Sequence, residues 1–138
     1  MDSSFGANGV TTFIITNASS IYVRPLWLLE NGSIIVSCSI TENGFSSDNV
    51  VRFQSNGAID TSYGIDGIAL IPIDEEFSCR SLPFPDGSVL ASCSYYDWLT
   101  DTRVKRLVKL RPNGSLDTSF APGGYIAGYY GSLIQPNE

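Results

Sequence analysis

The residues able to do chemistry in this chain are almost all carboxylates. No histidine occurs among its 138 residues, so imidazole metal ligands and the Ser-His-Asp and Cys-His nucleophilic arrangements are absent. Two groups of acids lie close in sequence, Asp74-Glu75-Glu76 and Asp97 with Asp101. Glycoside hydrolysis needs two carboxyl groups about 5 to 9.5 Å apart, a separation that loop spacing does not fix, and acids in such a run read as a solvated loop. The stretch DTSYGIDG, Asp60 to Gly67, places oxygens at alternating positions as a calcium loop does. Position twelve of that loop is Ile71 rather than the bidentate Glu. We therefore expect a non-enzymatic chain with no catalytic residues, no metal and no cofactor.

One further cluster could recognise a ligand. YYDWLTDTR follows the strand-like ASCS, and Tyr95, Tyr96 and Trp98 beside Asp97 and Asp101 could form an aromatic platform with a polar rim. Such a surface stacks on sugar rings or anchors a protein interface. The plainer reading packs two of the rings between sheets, since aromatics are common in β cores. Tyr95, Tyr96, Asp97 and Trp98 are thus the candidate contacts for a partner or a glycan.

Composition narrows the partners. The chain is 43% hydrophobic and 16% charged, too apolar for a disordered segment. Its formal charge of −6, with eight Lys and Arg, argues against nucleic acid, whose binding rests on neutralising phosphates. No apolar run approaches the ~18 residues of a spanning helix, so no membrane is expected. The opening MDSSFGANG has neither a basic nor an apolar signal region, so synthesis in the cytoplasm without a signal peptide is expected. Three cysteines do not suggest a disulfide framework, and all three are expected to be reduced and packed in or near the core. NAS at Asn17 and NGS at Asn31 and Asn113 fit the glycosylation rule, but the last two read first as turns.

Repetition carries the organisation. Asp2, Asp60 and Asp117 stand 58 and 57 residues apart, and Phe5, Tyr63 and Phe120 follow each at the same distance, as do Gly9, Gly67 and Gly124. ENGSIIVSCS matches PDGSVLASCS, and VVRFQSNG matches LVKLRPNG. The chain divides into repeats 2–59 and 60–116 and a partial third, 117–138, within a single domain. Each Asp can accept bonds from amides two or three residues on, forming an Asx-type turn that the aromatic ring then plugs. Asp2, Phe5, Asp60, Tyr63, Asp117 and Phe120 are assigned as structural corner residues.

Between the corners run β-branched and aromatic segments bounded by Asn-Gly and Asp-Gly pairs, which supply the positive φ angles of tight hairpins. Thr11–Thr16, Ile21–Leu29, Ser33–Ile40 and Asn49–Gln54, with their second-repeat partners, predict four antiparallel strands per repeat. No helical period is sustained, and the class is all-β.

This pattern of turn, corner and apolar strand resembles the delta-sixty repeat family over nearly the whole chain. Ala121-Pro122 departs from it where Gly follows the corner aromatic, so the last corner is expected to differ in shape. The resemblance implies blades of a β-propeller: two propeller-like blades plus an extra terminal strand. Rings usually hold four to eight blades, so completion by oligomerisation is expected, with a homotrimer the favoured ring. The chain then reads as a structural protein that decorates or cements a larger assembly, such as a virus (phage) capsid or tail, on the virion surface and against another structural protein. A lectin-like carbohydrate-binding module is the alternative.

Overall fold

The computed structural model describes residues 2–73 and 78–128. Its strands are β1 (Ala18–Leu28), β2 (Ile34–Glu42), β3 (Phe45–Phe53), β4 (Ile68–Leu70), β5 (Ser78–Pro83), β6 (Val89–Asp97), β7 (Thr102–Leu110) and β8 (Tyr125–Ala127), with one 3-10 turn at Pro122–Gly124. They form two four-stranded sheets in the orders β1-β2-β3-β4 and β5-β6-β7-β8, with every pair antiparallel. The all-β class is as expected, and each sheet is a propeller-type blade.

Local chemistry sets the hairpins. Asn43 and Gly44 both take positive φ, 51° and 84°, the combination of a type I′ turn whose twist matches its strands. The resulting register pairs Val36 with Val51 and Ile35 with Arg52, sending alternate residues to opposite faces. Both faces of blade one's central strands are covered. On one side Val36, Cys38, Val51 and Phe53 meet Phe13, Ile15 and Ile21. On the other, Leu29, Ile35 and Val50 join Val89, Ala91, Val108 and Leu110 of blade two, with Tyr63, Ala69 and Ile71 closing the space. The larger core therefore lies between the blades.

The strand expected at Thr11–Thr16 is not part of a sheet; only an isolated bridge, Ala7 to Val10, precedes it. Its repeat equivalents are β4 and β8, and each closes the blade before it, β4 on β3 and β8 on β7. A blade thus takes three strands from one repeat and the fourth from the next, spanning 18–70 and 78–127 rather than the repeat limits. The reason is hydrogen bonding: an outer strand needs the free edge of a β3-type strand, and Thr11–Thr16 has none before it among the described residues. Phe13 instead packs edge-on against Phe53, 5.5 Å between ring centroids. The terminal copy left out of the sheets is the N-terminal one, because Tyr125–Ala127 completes blade two.

The cysteines differ from expectation. Cys79 and Cys93 form a disulfide, and Cys38 alone is free and buried. Register is the cause, since Cys79 and Cys93 are direct partners on β5 and β6, 4.0 Å apart at Cα. Cys38 occupies the place of Cys93 in blade one, but the partner it meets on β1 is Val23. Burial pushes the Cys38 thiol up to about 11, which keeps it unreactive.

Two positions test this geometry. Gly64 has φ +57° and a Cβ there would lie 2.1 Å from the Ile68 carbonyl oxygen, whereas Gly44, at φ +84°, has open space. Gly64→Ala is expected to cost more than 3 kcal/mol and Gly44→Ala about 1 kcal/mol, as read by denaturant unfolding. Thiol titration of the unfolded, unreduced chain is expected to find one thiol, and three after reduction. Reduction should lower stability by about 3 kcal/mol for a loop of this length.

Candidate functional site

The aromatic cluster sits at the tip of the β6–β7 hairpin, and the fold divides it. Tyr95 lies opposite Val104 and packs against the inter-blade core. Tyr96, one residue on, points to the other face. Its ring meets Trp98 edge-on at 4.6 Å, and its hydroxyl donates to the Asp101 carboxylate. Asp97 accepts from the Leu99 and Thr100 amides at 2.9 and 3.4 Å, so it builds the turn. Trp98 is 85% exposed and Leu99 98%. The candidate contacts thus reduce to Tyr96, Trp98 and Leu99. Sequence reasoning missed Leu99, whose signal was an apolar residue at a tip where a polar turn residue is usual. The equivalent tip in blade one also shows a ring, Phe45, exposed.

The corner residues build the junction between blades. In each corner the Asp accepts from the amide and hydroxyl of the Ser two residues on: Asp2 from Ser4, Asp60 from Ser62 and Asp117 from Ser119. Those bonds hold all three carboxyls below the usual range. Tyr63 fills the gap between blades and is fully buried, while Phe5 and Phe120 are half-buried. Burial pushes the Tyr63 hydroxyl up to about 12.

The corners also dock on turns. Gly64 N–H donates to the Asn113 carbonyl of blade two at 2.8 Å, and Gly6 N–H donates to the Asn56 carbonyl at 2.7 Å. Ala121, the third equivalent, is extended at φ −160°. There Gly124 donates to the Ala121 carbonyl, whereas Gly67 donates to Tyr63. The departure at Ala121-Pro122 does reshape this corner.

Two clamps that sequence reasoning missed complete the junction. Arg52 Nε lies 2.8 Å from Asp60 Oδ2, its Nη1 donates to the Pro112 carbonyl at 2.6 Å, and its guanidinium stacks 4.5 Å from the Tyr63 ring centre. Arg24 Nη1 donates to the Cys79 carbonyl at 2.6 Å, and Asp48 Oδ2 accepts the Cys79 amide at 2.6 Å. Arg24 and Asp48 also pair at 3.3 Å. Burial pushes the Asp48 carboxyl up, against the pull of the Cys79 amide and Arg24. The signal was available, because Arg24 and Arg52 are the only cations in residues 1–77.

Among the described residues no group of three His, Cys, Asp or Glu could hold a metal, and no helix is long and apolar enough to cross a membrane. Asp74-Glu75-Glu76 lies outside the described residues. Four-stranded antiparallel blades stacked face to face, the corner after the first docked on the turn of the second, define a β-propeller repeat protein. The family described as "Domain of unknown function (DUF5122) beta-propeller" matches residues 29–63 and 85–120, just over half of the chain, and the chain belongs to it. No curated protein and no solved structure matches.

The Asp60 carboxyl, depressed first by the Ser62 hydroxyl, then by the Ser62 amide and by Arg52, makes this corner of the junction pH-dependent. Its contribution is fully present above the ordinary carboxylate pKa near 4 and is lost as pH falls through the lower folded value. Asp60→Asn is expected to cost about 1–2 kcal/mol at pH 7 and progressively less toward pH 2, as read by urea unfolding across that range.

Proposed function

We propose that the chain is a non-enzymatic assembly module whose blades belong to a propeller completed by other chains. Period and corner make its repeats delta-sixty repeats. One observation carries the reading. Val23, Leu26 and Leu28 on β1 are 52%, 61% and 72% exposed, whereas Cys79 and Ser81, which hold the places of Val23 and Leu26 in blade two by register, are buried beneath blade one. The open flank of blade one is therefore the kind of surface that a blade covers elsewhere in the same molecule, and contiguous exposed apolar surface of this sort marks an interaction site. Two blades fall short of the usual four to eight. A small, acidic chain of this kind serves as a structural component of a larger assembly, such as a virus capsid or tail.

A second reading, binding of carbohydrate, is favoured by the Tyr96–Trp98 pair at the hairpin tip, since exposed aromatic faces suit sugar rings. Tagged chain produced in its native cell is expected to sediment in a large complex. Leu26→Asp/Leu28→Asp, at two exposed positions, should shift it to the free 14.9 kDa chain. Wild-type chain that sediments free, with saturable binding to one sugar class on a glycan array that Trp98→Ala removes, would replace the assembly reading with the carbohydrate one.

A further inference from the structure

We propose that the face of blade two turned away from blade one is a cationic seat for a carboxylate-bearing β-sheet of a different chain, and not for a second copy of this one. The inference rests on reading the chain as an assembly module and names the partner for one of its flanks.

Six of the eight cations fall in residues 80–111. Register places Arg80 beside Ser92, Lys105 beside Ser94 and Arg103 beside Tyr96, all on the face that points away from blade one. Among the described residues, Arg80, Arg103 and Lys105 have no carboxylate within ion-pair distance. Lys109, on the same face, reaches Asp117 at 3.8 Å. The centre of the face carries Leu82 and Leu90, half-buried, and Leu107, buried, among serines. Among the described residues of a chain of charge −6, three cations without a carboxylate partner thus lie on one sheet surface.

Comparison with the other blade shows what this sheet must carry. Asp48 pairs with Ser39 and Lys105 with Ser94, so Lys105 stands where Asp48 stands. Asp48 accepts the amide of the next blade's inner strand. A lysine ammonium only donates, so a sheet landing on blade two must bring the acceptors itself, and carboxylates pair best with the three cations.

A second copy does not bring them. Its open strand, ASSIYVRPLWL, has no carboxylate, and it would set Val23 opposite Lys105, while Arg24 is turned inward to Asp48 and the Cys79 carbonyl. Its turn carbonyl at Asn56 already accepts Gly6 N–H. The corner that would dock there carries Ala121 at φ −160° in place of a glycine at φ +56° or +57°. Charge, hydrogen bonding and backbone conformation all mismatch, so the homotrimer suggested by the blade count is not formed through these flanks.

The test uses the full chain. Sedimentation equilibrium at roughly 50 μM is expected to give the single-chain mass, well above the concentration at which a standard-sized interface assembles. Calorimetric titration with poly-L-glutamate at low salt, where charge pairing is least screened, should show saturable binding. Arg80→Gln/Lys105→Gln should weaken it at least tenfold. Ser3→Asp/Ala58→Asp, which removes the same net charge from elsewhere, should leave it within twofold. A closed oligomer that Lys105→Glu dissociates would make a second copy the occupant and overturn the proposal. So would polyglutamate binding that is absent or unmoved by the double substitution, or tighter binding of double-stranded DNA to the same face. Failure here while the tagged chain still sediments in its large complex removes the acidic partner alone, whereas a free chain in that fraction removes the assembly reading as well.

Discussion

A blade of four strands has two faces, and in this protein both faces of the first blade are apolar at the centre. Burial of one against the next blade is the constraint on which everything else depends. Leu29, Ile35 and Val50 are covered because Val89, Ala91, Val108 and Leu110 lie against them, with Tyr63, Ala69 and Ile71 beside them. At about 25 cal/mol for each Å² removed from water, this contact is the main source of stability shared by the two sheets. It also fixes how far apart they stand, about 10 Å for stacked sheets, and hence where corners and clamps must reach.

The polar groups at this junction specify rather than drive it. Arg24 with Asp48, and Arg52 with Asp60, each combine a charge pair with a bond to the backbone of the second blade. A buried pair pays for desolvation with most of its Coulomb attraction, so its value lies in alignment. The Cys79 amide and carbonyl are gripped together, which sets the height of the inner strand. Asp60 and Tyr63 meet the same arginine, and that ties the corner to the turn beyond it.

Backbone conformation decides which corners can dock. Gly6 and Gly64 turn left-handed so that their amides point at an Asn-Gly turn, a conformation that carries little penalty only for glycine. Ala121 takes an extended conformation instead. The three corners, alike in sequence at Asp, Ser and aromatic, are therefore alike in their Asx turns and unlike in their docking. The same asymmetry appears in charge, with Lys105 in the place of Asp48. Repeats that descend from one pattern have become a pair with distinct flanks.

The all-β class, the repeat, the hairpin turns and the corners were legible in the sequence because each rests on chemistry within a few residues: a positive φ at Asn43-Gly44, or an Asp oxygen two residues from a serine amide. The shared fourth strand, the Cys79–Cys93 bridge, the Arg24 and Arg52 clamps and the split of Tyr95 from Tyr96 were not legible. Each depends on register, and register joins residues that no local signal connects; a one-residue slip would send Cys79 and Cys93 to opposite faces. Sequence alone determined what every segment can become, since turn geometry and strand periodicity are local. Only the tertiary structure decided which segments meet, because that is set by the stacking of one sheet on another.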